Sequence, residues 1–154
     1  MSALVVRDAE PHDLATVATL IEEVERHYGA TVIQPFDERL QQVENALFST
    51  PPLAYGLLVE GGGVVVGFAA YSFLWPAAGS THSLFLKELF VRASARRLGA
   101  GTALMTHLQK IAEERPDCSR IEWQTEHDSE ARTFYRSLGF TELEGKVNYR
   151  VEVR

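Results

Sequence analysis

Residues 84–105, LFLKELFVRASARRLGAGTALM, decide the fold, because the hydrophobic pattern changes its period at a glycine-containing turn. Residues 84–91 are mostly apolar, which predicts a buried strand. After the turn, Leu104, Leu108 and Ile111 recur at the spacing of one helix face. The first turn of a helix leaves up to four backbone N–H groups without partners, at the positive end of the helix dipole. This order of strand, turn and helix therefore predicts an anion site that a phosphate group fits.

Four residues of the turn support the prediction of a phosphate site. Gly99 and Gly101 carry no Cβ atom that would hold a ligand away from the backbone, and Arg96 and Arg97 add positive charge. The spacing differs from the Gly-x-x-x-x-Gly-Lys-Ser/Thr loop of nucleoside triphosphatases, and it lacks the third glycine of a dinucleotide-binding fingerprint. The pattern that remains is Arg96-x-x-Gly99-x-Gly101.

A second motif, residues 128–140 (DSEARTFYRSLGF), predicts a short helix with both ends marked. Asp128 or Ser129 can cap its N-terminus, and Gly139 followed by Phe140 is typical of a left-handed C-terminal cap. Taken alone, the motif is as consistent with an ordinary core helix as with a functional one. The residues of its apolar face are Ala131, Phe134, Tyr135 and Leu138.

Together the two motifs resemble those of the GNAT superfamily of N-acetyltransferases. The loop is similar to the Gln/Arg-x-x-Gly-x-Gly/Ala signature of that family. Residues 128–140 are similar to its Asn-x-x-Ala-x-x-Phe-Tyr-x-x-x-Gly-Phe helix, with Asp128 in place of Asn. The resemblance covers essentially the whole chain. It implies a protein that uses acetyl-coenzyme A (acetyl-CoA) as co-substrate and holds its pyrophosphate at the glycine loop.

The order of the predicted elements agrees with this resemblance. The predicted elements follow in the order β, αα, βββ, α, β, α, ββ, which matches the fold of the resembling family, whereas periodicity alone predicts only one domain with both α and β elements. The resemblance implies an α+β fold with α/β/α layers, in which a mixed, mostly antiparallel sheet of about six to seven strands has helices on both faces. The strands that flank the helix after the glycine loop are expected to be parallel neighbours. The predicted strands include residues 4–7, 53–60, 64–73, 84–91, 120–125 and 148–153, and the predicted helices are 10–28, 36–48, 101–115 and one within 128–140.

Composition limits the class of protein. At 154 residues with 45% hydrophobic residues, the chain is expected to form a single N-acetyltransferase domain, residues 1–154. The net charge of −6 argues against a nucleic-acid binder and mildly favours a cationic substrate. The sequence shows no secretory signal and no apolar run of about 18 residues, so we expect a cytoplasmic protein without a membrane partner. Cys118 is the only cysteine, which excludes a disulfide within the chain and a thiolate metal site, and no metal is expected.

The resemblance also implies which residues hold acetyl-CoA. Backbone N–H groups near residues 89–91 are expected to hold the acetyl carbonyl and the pantetheine arm. Asp128 is the main departure from the family, because an ionised Asp only accepts hydrogen bonds whereas Asn also donates them. The implied cofactor-binding residues are Leu89, Phe90, Val91, Arg96, Arg97, Leu98, Gly99, Ala100, Gly101, Thr102, Asp128 and Phe134.

Tyr135 and Glu88 are the candidate catalytic residues. Direct acetyl transfer to an amine needs a base for the amine proton and an acid for the leaving thiolate. The resemblance implies that Tyr135 is the acid, and a phenol with a pKa near 10 is protonated at neutral pH. Strict strand alternation puts Glu88 on one face with Leu84, Leu86 and Phe90, where an unpaired carboxylate is costly, so we predict that it is the base, directly or through water. The alternatives are packing for Tyr135 and a structural ion pair with the neighbouring lysine for Glu88.

The acceptor region is expected between the first two helices. In the resembling family this region closes over the acceptor substrate, which makes its polar and aromatic residues candidates for recognition. For His27 the alternative is a plain surface or packing role, because nothing in the sequence pairs it with a carboxylate. The candidate substrate residues are His27, Tyr28, Gln34 and Phe36, with Glu126 in reserve.

The leading prediction is an acetyl-CoA-dependent N-acetyltransferase that acts on a primary amine of a small molecule. Residues 66–73 and 84–91 look like the corresponding strands of spermidine/spermine and thialysine acetyltransferases. Lys87 stands where those enzymes carry an acid, which weakens a polyamine assignment and favours a smaller amine. The alternatives are a protein lysine or N-terminal acetyltransferase and a non-catalytic acyl-CoA-binding module. The family also makes a homodimer a possible assembly.

Overall fold

The computed structural model describes residues 3–154, in two compact units. The first unit contains the described residues up to Gln124, and the second is Thr125–Arg154. Single helical turns at Pro11–Asp13 and Ala93–Ala95 precede α1 and α3. The strands are β1 Leu4–Asp8, β2 Tyr55–Gly61, β3 Val64–Leu74, β4 His82–Val91 and β5 Cys118–Trp123, and the helices are α1 Leu14–His27, α2 Phe36–Leu47, α3 Ala100–Glu113 and α4 Ala131–Ser137.

The first unit is built on one mixed sheet with strand order β1-β2-β3-β4-β5. The first three pairs are antiparallel, and β4 and β5, which flank α3, are parallel as expected. The fold class is therefore confirmed, with five strands among the described residues where about six to seven were expected. Residues 148–153 are assigned to no strand, so the expectation of a strand there is corrected. The alternating pattern is present, but its apolar side chains Tyr149, Val151 and Val153 are exposed.

One face of the sheet is covered by α1 and α2. Leu58, Phe68 and Phe90 lie in register across β2, β3 and β4, and they form a buried cluster with α1 and α2. Because successive residues of a strand point to opposite faces, their neighbours in sequence point away from this cluster. The other face is covered by α3, whose buried side chains include Leu104 and Leu108. Helices on both faces thus give the layered arrangement expected from the sequence.

An ion pair fixes the start of α1 to the edge of the sheet. Both oxygens of Asp13 accept hydrogen bonds from the guanidinium of Arg7, at 2.7 and 2.9 Å. Asp13 also accepts the backbone N–H of Glu10 at 2.8 Å. These donors stabilise the ionised form more than burial disfavours it, so the pKa of Asp13 falls to about 2.

Candidate active site

The two halves of β4 differ in how many of their edges are paired. Parallel pairing with β5 ends where Leu86 lies beside Trp123, whereas antiparallel pairing with β3 continues to Val91. We call His82–Leu86 the closed half and Lys87–Val91 the open half. No strand among the described residues covers the second edge of the open half. Backbone groups that point to this edge therefore have no strand partner among the described residues, as in any edge strand.

A β-bulge marks the boundary between the two halves. Glu88 is the register partner of Ala70 and Leu86 is the partner of Tyr71, so Lys87 is an extra residue in β4. Glu88 therefore faces α1 and α2 together with Phe90, while Leu84 and Leu86 face the opposite side. The expectation that Glu88 shares a face with Leu84 and Leu86 is wrong, because strict alternation does not allow for the inserted residue.

Glu88 is half-buried on the sheet face that carries α1 and α2. Burial raises the pKa of Glu88 above that of an ordinary glutamate, and the charge of Lys87 and the backbone N–H of Leu89 only partly oppose this effect. A carboxylate with a raised pKa is a better proton acceptor near neutral pH. Perturbed carboxyl groups of this kind are typical of functional sites.

The turn after β4 leads into an uncapped helix N-terminus. Gly99 adopts the left-handed conformation, with φ of 88°, and occupies the N-cap position of α3. This conformation favours glycine because a Cβ atom is strained there. The first intrahelical hydrogen bond is donated by the Ala103 N–H to the Gly99 carbonyl, at 2.9 Å. The N–H groups of residues 100–102 precede it, and Gly99 provides no side chain to cap them.

Arg96 connects this turn to the open half of β4. Its Nε donates to the Val91 carbonyl at 3.0 Å, and its guanidinium carbon lies 5.9 Å from the centre of the Phe90 ring. Arg97 and Leu98 are exposed, and Arg97 has a positive φ of 66°. The loop therefore brings two arginines, the α3 N-terminus and the open half of β4 into one region of the first unit.

A cavity of about 280 Å³ lies between α1, α2 and the sheet. Gly56, Phe68 and Ala70 line it from the sheet, and Gln34 lines it from the loop before α2. Ala70 is directly opposite Glu88 in the β3–β4 ladder, so the sheet row that borders the cavity continues to Glu88. The cavity and Glu88 therefore lie on the same face of the sheet.

Sequence reasoning missed the charged pair that lines this cavity. Arg39 is 2% exposed and donates to both oxygens of Glu25, at 3.1 and 2.7 Å. Its Nε is buried without a partner. The Arg39 guanidinium lowers the pKa of Glu25 and keeps it ionised. The sequence contained a signal for a buried arginine, because Arg39 lies four residues before Val43 and therefore on the buried face of α2.

Of the candidate substrate residues in the first unit, Gln34 lines the cavity, and His27, Tyr28 and Phe36 do not. Gln34 Nε2 donates to Glu38 at 3.0 Å and to Gln42 at 2.7 Å. The His27 ring lies 6.1 Å from that of Phe90 and 5.2 Å from that of Tyr28. The side chains of His27, Tyr28 and Phe36 are exposed.

The second unit contains the second sequence motif, with its helix α4. The Oγ of Ser129 accepts the Ala131 N–H at 3.1 Å, but the N-cap position is Glu130, whose side chain makes no capping hydrogen bond, so the expected cap by Asp128 or Ser129 is corrected. Gly139 has φ of 84°, and the following N–H donates to the Tyr135 carbonyl at 3.2 Å, which is the expected left-handed C-terminal cap. The half-buried ring of Tyr135 lies 5.1 Å from that of Phe134, and the side chains of Asp128 and Glu126 are exposed.

The described residues contain neither a metal-binding cluster nor a helix that could span a membrane. Within residues 3–154, no group of three or more His, Cys, Asp or Glu side chains could hold a metal ion. None of the described helices combines the length and the apolar composition that crossing a membrane requires.

Comparison with known proteins identifies the family. The model of the acetyltransferase (GNAT) family matches residues 18–140, which include the open half of β4, the glycine loop and α4. The chain belongs to the acetyltransferase (GNAT) family. It is an acyltransferase, and the family to which it belongs uses acetyl-CoA.

Solved structures with the same fold include both small-molecule and protein acetyltransferases. An integron cassette protein of V. cholerae shares 29% identity at a TM-score of 0.87, covering 99% of this chain and 93% of its own. An aminoglycoside N-acetyltransferase in complex with CoA shares 22% identity at 0.79, covering 98% and 96%. A ribosomal-protein-alanine N-acetyltransferase from Brucella melitensis shares 20% at 0.76, covering 97% and 100%. At these identities the last two show the fold alone.

Proposed function

We propose that this acetyltransferase moves the acetyl group of acetyl-CoA to a primary amine of a small molecule by direct attack. The observation that carries the proposal is the open half of β4, where an unpaired strand edge lies beside the half-buried Glu88. A strand edge supplies the N–H donors that an acyl thioester needs, and Glu88 supplies a proton acceptor.

Acetyl-CoA is held in two places in this proposal. Backbone N–H groups of Leu89–Val91 bind the acetyl carbonyl and the pantetheine arm. The pyrophosphate binds the N–H groups of residues 100–102 at the start of α3, where the helix dipole and two arginines favour negative charge. The uncapped helix N-terminus and the left-handed Gly99 support this placement. Contacts of Asp128 and Phe134 with the coenzyme are proposed from the family motif.

The chemical step exchanges one bond for another. The amine nitrogen attacks the carbonyl carbon of the thioester, a C–N bond forms, and the C–S bond breaks. Glu88 takes the amine proton, directly or through a water molecule, and its raised pKa suits this role. Tyr135 then gives a proton to the CoA thiolate. The role of Tyr135 rests on the family motif alone, because Tyr135 belongs to the second unit.

The acceptor molecule occupies the cavity between α1 and α2. Its volume of about 280 Å³ suits a small molecule. Gln34 lines the cavity. His27, Tyr28, Phe36 and Glu126 are proposed as further substrate contacts from the family resemblance. The spermidine/spermine-like and thialysine-like branch remains the nearest proposal. We propose an amine smaller than a polyamine, because the positive charge of the exposed Lys87, next to Glu88 in sequence, would disfavour a polycation.

The whole chain is proposed to act as one cytoplasmic catalytic domain. Glu88 lies in the first unit and Tyr135 in the second, so the proposed reaction needs both. The single domain over residues 1–154 is proposed from the length and composition of the chain.

An assay that follows the release of free thiol from acetyl-CoA tests the proposal. The acceptors to be compared are small amines, aminoglycosides and peptides. Turnover with a small primary amine is the expected result. Turnover with peptides alone would favour a protein acetyltransferase, and coenzyme binding without any turnover would favour a non-catalytic module.

Tyr135→Phe tests the proposed acid. We expect kcat to fall by about tenfold or more while the Kd for acetyl-CoA stays constant, because only the proton donor is lost. Tyr55→Phe, in β2 and outside the proposed site, is the matched control. Equal kcat values for Tyr135→Phe and the control would remove the acid role.

A further inference from the structure

The cavity between α1, α2 and the sheet has one charged pair in an otherwise apolar wall. Of the described residues that line it, Glu25 and Arg39 are the only two with a charge, and Gln34 and Gln42 are the only two with an amide side chain. The other lining residues carry no polar side-chain atom. Apolar walls with a few polar groups that fix the orientation of a ligand are typical of small-molecule sites.

Arg39 has one hydrogen-bond donor that its ion pair does not use. Its two terminal nitrogens donate to Glu25, at 3.1 and 2.7 Å, whereas its Nε is buried and has no acceptor among the described residues. Buried polar groups are nearly always hydrogen-bonded, and each exception needs an explanation. Because Arg39 is 2% exposed and lines the cavity, an oxygen atom of a molecule bound in the cavity is a suitable acceptor.

Glu25 offers acceptor positions beside this donor. Each of its oxygens accepts one hydrogen bond from Arg39, and a carboxylate oxygen can accept two. The Arg39 guanidinium lowers the pKa of Glu25, so the carboxylate is ionised and only accepts hydrogen bonds. The Glu25 side chain is 41% exposed, so the donor group of a ligand can approach it without breaking the ion pair.

The net charge of the pair is zero, and this limits the kind of group that the pair favours. A second ammonium group on the acceptor would be attracted by Glu25 and repelled by Arg39, and the reverse would hold for a carboxylate. Either ion would also lose its hydration on entering an apolar cavity. A hydroxyl or amide group loses less hydration, and it both donates and accepts hydrogen bonds.

We propose that the acceptor is a primary amine with a single positive charge and with an uncharged hydroxyl or amide group at its far end, which Arg39 and Glu25 bind. The oxygen of this far group accepts from Arg39 Nε, and its O–H or N–H donates to Glu25. The amine lies toward Glu88, which is directly opposite Ala70, and Ala70 lines the same cavity. This inference rests on the proposed acetyl transfer, because it specifies the acceptor of that reaction.

A series of linear primary amines that differ only in the far group tests the proposal. For a pentane chain its members are the amino alcohol, the diamine, the amino acid and pentylamine, and the chain length used is the one that gives the best amino alcohol. We expect kcat/KM for the amino alcohol to exceed that of every other member about tenfold, because only its far group satisfies both Arg39 and Glu25. A higher value for the diamine or the amino acid, or an equal value for pentylamine, would overturn the inference.

Glu25→Gln tests whether the charged pair selects the far group. The change keeps the shape of the side chain and leaves the charge of Arg39 without its counter-ion. We expect the ratio of kcat/KM for the amino acid to that for the amino alcohol to rise about tenfold. Glu44→Gln removes the same charge from the exposed side of α2 and is the matched control, with an unchanged ratio. A purely structural role would lower kcat/KM for all members alike, so an unchanged ratio in Glu25→Gln would overturn the inference.

Binding measured without turnover separates this inference from the proposed reaction. The Arg39 Nε–H signal is followed by NMR while the amino alcohol or pentylamine is added to the protein loaded with CoA. We expect a saturable shift with the amino alcohol, at a Kd about tenfold lower than that of pentylamine. The same result without thiol release from acetyl-CoA would contradict the proposed reaction and support the binding site. Thiol release with no preference among the far groups would support the reaction and overturn the inference.

Discussion

The closed and open halves of β4 have similar sequences but different surroundings. The closed half pairs with β3 and β5, and Leu84 and Leu86 in it are buried. Among the described strands, the open half pairs with β3 only, and it carries Glu88 half-buried beside the bulge. The difference shows how a single strand can provide both stability and a binding edge, because the end of β5 and one inserted residue separate the two roles. The following predictions test whether the roles are separate in solution.

The largest expected effect is on the chemistry of the open half. We expect Glu88→Gln to lower kcat/KM about 10³-fold, because it removes the proposed base. The free energy of unfolding should fall little or rise, since a half-buried carboxylate is replaced by a neutral group. Steady-state kinetics and urea unfolding measure the two quantities. Glu44→Gln, on the exposed side of α2, is the control, and a Glu88→Gln variant with the control's activity would leave Glu88 a structural residue.

Leu84→Ala, in the closed half, should lower stability and leave coenzyme binding unchanged. Leu84 is fully buried, with 0% exposure, so the cavity should lower the free energy of unfolding by about 3 kcal/mol. The Kd for acetyl-CoA should stay constant at temperatures where the variant is folded. Leu89→Ala, at a half-buried position of the open half, is the matched variant, and we expect it to lower the free energy of unfolding by less. Equal losses for both would mean that the two halves contribute alike to the core.

Acid should act on activity and on stability in different pH ranges. The pKa of Asp13 is lowered to about 2 in the folded state, so its stabilisation is present above the unfolded value of 3.8 and is lost as the pH falls toward 2. The expected loss is about 2 kcal/mol, and it should be absent in Asp13→Asn. The raised pKa of Glu88 should instead place the acid limb of kcat/KM above the range of an ordinary glutamate. The free energy of unfolding and kcat/KM can both be measured over pH 2 to 8. A fall of both quantities over the same pH range would contradict this separation.

The smallest expected effect concerns the turn that joins the open half to α3. Arg96→Ala removes the hydrogen bond to Val91 and one positive charge near the proposed pyrophosphate. We expect the Kd for acetyl-CoA to rise about tenfold, equivalent to about 1.4 kcal/mol. Lys110→Ala removes the same charge near the other end of α3. If calorimetry gave the same change in the Kd for acetyl-CoA with both variants, Arg96 would act only through its long-range charge.

Local sequence predicted the elements whose formation depends on local rules. The strand, glycine turn and helix of residues 84–105 and the C-terminal cap of α4 at Gly139 were predicted because period and glycine position determine them. The sequence also predicted the layered fold, through the family resemblance.

Features that depend on partners distant in sequence were not predicted. The bulge at Lys87 depends on the register with β3, and the open half of β4 depends on where β5 ends. The pair of Glu25 and Arg39 forms between two helices that only the fold brings together. The strand predicted at residues 148–153 shows the same limit, because a strand pattern does not identify the edge that the strand pairs with.

Amide chemical shifts on titration with acetyl-CoA test most directly whether the open half of β4 and the start of α3 hold the coenzyme. We expect the largest changes at Leu89–Val91 and at residues 100–102, with little change in the closed half, His82–Leu86. Saturable binding with unchanged amides at both expected places would contradict the assignment of this site.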